Sequence, residues 1–164
     1  MGLIIRSSEI HAAGCYTNRW IAKGTRIVEY TGTRMPKDVA DQLYVTKDYT
    51  YLFGLEDGVN VIDGHGIAAF INHSCDPNCE TEEDKQHRVW ILALRDIEAE
   101  EELTYDYNLY DGEGDAPCSC GSKHCRGTMY SPEEIQKRRR AAARKKKTAA
   151  TKKHDKKQKT KKTK

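Results

Sequence analysis

Three stretches of this chain hold reactive side chains at spacings that could do chemistry. Cys118, Cys120 and Cys125 put three thiols within eight residues, and Gly121 lets the chain turn between them. Thiolates so spaced suit a structural zinc ion, which takes four ligands in a tetrahedron, so a fourth must come from elsewhere. Cys75 and Cys79 lie close together earlier in the chain and His124 lies inside the run; each is a candidate. The second stretch runs from Phe70 to Cys79 and reads Phe-Ile-Asn-His-Ser-Cys-Asp-Pro-Asn-Cys. It sets Asn72, His73, Ser74 and Cys75 directly behind the apolar run Ile67 to Ile71. Taken alone, Asn-His-Ser and Asp-Pro-Asn are turns, because such side chains bond to nearby backbone. Behind an apolar run they also read as a buried segment that opens into a polar site. The third stretch, Glu102-Leu103-Thr104-Tyr105-Asp106-Tyr107, carries two tyrosines around a carboxylate, and by itself it is an ordinary β segment.

The elements that must position these groups are mostly strands. Leu3-Ile4-Ile5 is a short strand, and Ile21 to Gly32 reads as a turn at Gly24 followed by a strand of β-branched residues. Met35 to Val45 starts with Pro36, and Val39, Ala40, Leu43 and Tyr44 give it a rough helical face. Tyr49 to Leu55 alternates as a strand, Asp57-Gly58 turns, and Val59 to Asp63 returns as its hairpin partner. His87 to Leu94 is the strongest strand signal, and it leads through the acidic turn Asp96 to Glu101 into the tyrosine block. Short strands with few helices make a mainly β domain of small sheets.

In this order, the Asn-His-Ser-Cys segment, the Glu-Leu-Thr-Tyr-Asp-Tyr block and the Cys-x-Cys-x4-Cys run resemble a SET domain followed by a post-SET zinc segment. That is the family of protein-lysine N-methyltransferases, and the resemblance covers roughly residues 3 to 128. It implies a mainly β SET-domain fold, with several small sheets, few short helices and a pseudoknot in which the Asn-His-Ser segment and the tyrosine block thread past each other. Its domains would be residues 1–110 for the SET domain, 111–130 for the post-SET segment and 131–164 for a basic tail. It implies two cofactors, S-adenosyl-L-methionine and zinc. Tyr107 matches the catalytic tyrosine, Tyr105 the position that limits the number of methyl groups, and Tyr51 an aromatic facing both cofactor and target lysine. Ala13, Gly14, Tyr51, Asn72, His73 and Tyr107 would bind the cofactor. Zinc would be held by Cys75, Cys118, Cys120 and Cys125, leaving Cys79 and Cys15 as buried apolar residues. Two positions depart from the pattern. Ala12 stands where the family has the first glycine of Gly-x-Gly; its methyl is tolerated at negative φ and strains the loop at positive φ. Ser119 replaces an aromatic that would stack on adenine. Tyr105, carrying a hydroxyl, implies mono- or dimethylation.

Charge divides the 164 residues in two. Residues 136–164 carry 16 Lys and Arg against the single acid Asp155, a net +15, which leaves −12 for residues 1–135 within an overall +3. With the lysine methylation that the resemblance implies, the acidic part and the basic tail together make a basic protein tail, a histone or histone-like protein, the expected substrate. The basic part adds an expected contact with DNA. A Lys, Thr and Ala run without aromatics cannot bury a core, and reads as disordered or partly helical. No run of 18 apolar residues exists, the apolar start Leu3-Ile4-Ile5 is too short for a secretory signal, and cysteines at metal spacing point to a reducing compartment. The expectation is therefore an intracellular monomer without membrane contact, in the nucleus on chromatin if eukaryotic and in the cytoplasm if bacterial. The alternative from another class is a catalytically silent SET-like reader, or a zinc-tethered nucleic-acid binder that works through its tail.

Overall fold

The computed structural model describes residues 2–47, 50–112 and 114–161. Tyr49, where the expected hairpin strand begins, and the last three residues of the basic tail lie outside them. In chain order the elements are β1 (Leu3–Ser7), β2 (Ala13–Thr17), β3 (Arg26–Glu29), β4 (Gly32–Pro36), α1 (Lys37–Tyr44), β5 (Leu52–Gly54) and β6 (Asn60–Gly64). A 3-10 turn (Ile67–Phe70) follows, then β7 (Asn72–His73), β8 (Cys79–Glu83), β9 (Val89–Ala93), β10 (Thr104–Tyr105) and α2 (Pro132–Lys161). The chain forms two units. One holds the residues up to Asp106 together with Pro117–Thr128, and the other holds Tyr107–Ala116 together with the residues from Met129 onward.

The first unit contains three small sheets: the hairpin β1-β2, a five-stranded sheet in the order β3-β9-β8-β10-β7, and a three-stranded sheet in the order β4-β6-β5. β9 lies inside the larger sheet and its sequence alternates: Val89, Ile91 and Ala93 are buried, as are Ile27, Ile97 and Leu103 of the core. The β5-β6 hairpin turns at Gly58, whose φ of +68° a side chain would resist. Next to it the Asp57 carboxylate accepts from the backbone N–H groups of Val59 and Asn60, both at 2.8 Å, and these bonds hold its acid down at about 2. The helical face expected of α1 divides in two. Ala40 is buried and Tyr44 half-buried one turn on, while Val39 and Leu43 face outward.

The topology around β10 positions the site. β7 and β8 are joined only by Ser74–Asn78, yet β10, arriving late in the sequence, lies between them and runs parallel to both. Thr104 pairs with Asn72, and Tyr105 pairs with His73 on one side and Cys79 on the other. A late strand between two earlier ones accords with the crossing that the family resemblance implies. Buried Asn78 holds it closed. Its Nδ2 donates to the Glu102 carbonyl at 2.8 Å and its Oδ1 accepts from the Thr104 N–H at 2.8 Å, so a side-chain amide takes the place of a strand neighbour.

In the second unit Leu109 pairs with Tyr130, the Leu109 N–H donating to Met129 O and the Ser131 N–H to Leu109 O. α2 begins on a capping sequence: the Glu134 N–H donates to Ser131 Oγ at 3.1 Å, Pro132 occupies the first turn, and Glu133 and Glu134 follow. Arg138 lies over the Tyr130 ring at 3.7 Å and donates to the carbonyls of Gly112 and Gly114, which fastens the first turns of the helix. Beyond them the Arg, Lys, Ala and Gln composition favours helix, and the element runs 30 residues in all.

Candidate functional site

Asn72 lies at the centre of a buried polar cluster in the first unit. β7 places it beside the start of β2, and its Nδ2 donates to the Ala13 carbonyl at 3.0 Å, to Glu102 Oε1 at 2.8 Å and to Ser8 Oγ at 3.2 Å. Glu102 also accepts from the hydroxyls of Ser8 at 2.8 Å and Tyr16 at 2.9 Å. The backbone of residues 100–103 runs alongside β2, with the Leu103 N–H on Cys15 O at 2.7 Å, which is how that carboxylate reaches the cluster. Gly14 leaves Glu102 its place: a Cβ would stand 2.1 Å from Glu102 Oε1 and 3.1 Å from Asn72 Nδ2, and that carboxylate would have to move. Sequence alone gives Ser8 and Glu102 no role and Asn78 only a turn; the one signal for Glu102 is an acid at the head of the tyrosine block. Ala12 takes a φ of +29°, so the chain adopts at this position the conformation that its methyl group resists.

His73, one residue on, is buried, with Nδ1 3.5 Å from Asp106 Oδ1 and Nε2 3.4 Å from Cys75 Sγ. Burial pushes its pKa down to about 4, against the pull of Asp106 and with the help of Arg126, so the ring is neutral near pH 7.

Aromatic rings gather around the same strands. Tyr105, buried on β10, lies 6.2 Å from Phe53, which lies 5.2 Å from Tyr30. Tyr51 sits 5.8 Å from Phe70, and its carbonyl accepts from the Tyr30 hydroxyl at 2.7 Å. Residues 51 and 53 are two apart in extended chain and so share a side, which brings one ring to Phe70 and the other to Tyr105. Phe53, Phe70 and Tyr30 were not singled out from sequence, where each reads as an ordinary core aromatic. Tyr107, two residues beyond Tyr105, begins the second unit and is half-buried there.

Cys75, Cys118, Cys120 and Cys125 bring their sulfurs within 4.8 Å of one another, with Cys75 and Cys118 at 3.8 Å. Four thiolates around a zinc at about 2.3 Å stand about 3.8 Å apart, so the set fits that ion. Backbone N–H groups already point at the sulfurs: Cys75 toward Cys120 at 3.5 Å, Arg126 toward Cys75 at 3.4 Å and Gly127 toward Cys125 at 3.4 Å. Burial opposes ionisation of Cys120, but hydrogen bonds from the Cys75 and Ser122 amides and from the Cys118 and Cys125 thiols outweigh it and bring that thiol down to about 6. The other candidates lie apart. Cys79 is fully buried with its thiol on Asn78 Oδ1, and exposed His124 faces Asp76 at 3.6 Å. Arg126, directly after Cys125, clamps Asp106 through two bonds of 2.6 and 2.7 Å and so ties the thiol segment to the end of β10.

Residues 12–108 match the family model described as SET domain. Among curated proteins, one named "Histone-lysine N-methyltransferase, H3 lysine-4 specific" from Aspergillus oryzae is 42% identical over 136 residues, covering 74% of this chain and 11% of that protein. The protein of the same name from Saccharomyces cerevisiae is 42% identical over 136 residues, covering 74% of this chain and 12% of its own length. "Histone-lysine N-methyltransferase trr" from Drosophila melanogaster is 39% identical over 134 residues, with 74% of this chain and 6% of that protein covered. The chain therefore spans about a tenth of the length of these relatives, or less.

Proposed function

The chain belongs to the SET-domain family, and from that premise we propose that it transfers methyl groups from S-adenosyl-L-methionine to a lysine in a basic protein tail. The observation that carries this reading is the register of β10 against β7: it sets Tyr105 beside His73 one residue from Asn72, so an aromatic wall and a polar cluster meet. The cluster suits the amino-acid end of that cofactor. The Ala13 carbonyl and Glu102 offer acceptors for an ammonium, and Gly14 lets Glu102 come up beside Asn72. Once bound, the cofactor supplies a methyl group on a sulfonium, open to in-line attack by a neutral amine.

This chain's residues must deliver that amine. A free lysine is neutral only about once in a few thousand molecules at pH 7. Tyr51, Phe53, Phe70 and Tyr105 line a low-dielectric wall that disfavours the ammonium form, so no strong general base is required. Tyr107 orients the amine through its hydroxyl, a positioning and electrostatic role. Tyr105 crowds further methyl groups and holds the product to mono- or dimethyl-lysine. Cys75, Cys118, Cys120 and Cys125 hold zinc, which fixes the thiol segment against β10 and completes one side of the lysine channel. The −12 charge of residues 1–135 favours a basic substrate. The relatives' names make an amino-terminal histone H3 peptide the first to assay, which would place the enzyme on chromatin.

Radiolabelled methyl transfer to that peptide tests the reading. Tyr107→Phe is expected to lower kcat by about 100-fold or more, and Tyr105→Phe to shift the products toward higher methylation by mass spectrometry. Failure to bind S-adenosyl-L-methionine in a calorimetric titration, with no transfer to any basic protein, would overturn it.

A further inference from the structure

α2 contributes none of the residues assigned to methyl transfer, and its chemistry is of another kind. We propose that α2 is a duplex-DNA-binding arm that lies in the major groove and grips the phosphates of both strands without reading base sequence.

The first two cations of the helix are already engaged. Lys137 and Arg138 bind Glu134 at 2.8 and 2.9 Å, and Arg138 also takes up the Gly112 and Gly114 carbonyls, so the outward arm starts at Arg139. From there Arg139, Arg140, Arg144, Lys145 and Lys146 are all exposed, as are Ala141, Ala142 and Ala143 between them. The basic residues come in blocks, 137–140 and 144–147, with further pairs at 152–153 and 156–157 along the same helix. Blocks seven residues apart repeat every ~10.5 Å, and four consecutive residues wrap the whole circumference of a helix. The result is a rod banded with charge on every side.

That form discriminates among polyanions. A membrane surface takes up a helix with one apolar face, and a protein groove takes up one with an apolar stripe; beyond Arg139 α2 offers neither. The major groove is about 12 Å wide and has phosphates along both walls, while an α-helix with its side chains measures about 10–12 Å across. A helix charged on one side could serve only one wall, whereas a banded one serves both. The methyl-only band Ala141–Ala143 lets the backbone seat between grips. Few amides are available to read base edges, so the contact is carried by phosphates.

The full-length chain is titrated into fluorescent duplexes of about 30 base pairs and two unrelated sequences, over a range of salt. Both are expected to bind alike, with log K falling against log salt at a slope of about −6 or steeper. Methyl green, which occupies the major groove, should displace the protein, and the minor-groove ligand distamycin should not. Replacing Arg139, Arg140, Arg144, Lys145 and Lys146 with Gln keeps good helix formers in place. It should cost at least about tenfold in affinity and flatten the slope by about 4 to 5, while circular dichroism confirms the retained helix. Unchanged affinity in that variant overturns the proposal. Displacement by distamycin alone, or equally tight binding to single-stranded RNA or anionic vesicles, also overturns it.

Discussion

Ala12 and Gly14 show how much a single Cβ decides in this fold. At residue 14 a methyl group would collide with Glu102, and glycine is present; at residue 12 the backbone takes a φ of +29°, and alanine is present. Ala12→Gly is therefore expected to relieve about 1 kcal/mol of strain and raise Tm by roughly 2–4 °C. A thermal melt measures this, and a calorimetric titration should show tighter cofactor binding in the same variant. The cysteines divide just as sharply. Burial pushes Cys15 and Cys79 up to about 12, so both stay protonated and shielded. In the zinc-loaded protein few thiols should react with a thiol reagent, a chelator should release the four of the cluster, and only denaturant should expose all six. A count of five or six after chelation alone would contradict the assigned ligand set. Sequence made this cluster largely legible, because metal-ligand spacing is a local signal. Spacing alone could not choose among Cys75, Cys79 and His124, which depends on how distant segments fold together, and it was the family resemblance that pointed to Cys75. Glu102 was hidden for the same reason, since its three donors come from residues 8, 16 and 72.

Among the elements, β10 depends most on what surrounds it, being two residues long and paired on both sides by strands far away in sequence. Asn78 substitutes for the backbone neighbour that Glu102 and Thr104 lack. Asn78→Ala leaves a buried carbonyl and a buried N–H without partners, and a loss of about 2–5 kcal/mol is expected in urea unfolding. Substitution by Asp keeps the acceptor but not the donor, and should fall between. The Arg126–Asp106 clamp joins β10 to the thiol segment through two parallel bonds. Arg126→Lys keeps the charge and loses the fork, so the cycle of Arg126→Lys, Asp106→Asn and the double variant should show coupling of about 1–3 kcal/mol in stability. β9 and the β5-β6 hairpin could be read directly, since alternation and an Asp-Gly turn are written locally. The crossing of β10 rests on no such local signal, and only the family resemblance pointed to it.

Across the whole molecule, charge separates along the sequence more cleanly than structure does. Residues 1–135 carry −12 and residues 136–164 carry +15. Methylation of a basic peptide should therefore show KM rising with ionic strength while kcat stays nearly constant, because screening weakens attraction at a distance and leaves the enclosed site unaffected. Steady-state assays across a salt series measure it, and a salt-dependent kcat with fixed KM would contradict it. The two units interleave in a way no boundary on the sequence can express: Pro117–Thr128 belongs with the residues up to Asp106, while the segments on either side of it join the helix. A late strand lodged between two earlier ones also implies an order of events during folding. Thr104 and Tyr105 can pair on both sides only once β7 and β8 stand apart with a gap between them, and Arg126 can clamp Asp106 only when that strand is seated. A ribosome releases these pieces in that same succession, so the nascent chain meets each step in turn, whereas a chain diluted from denaturant holds all of them at once and must search slowly for the insertion.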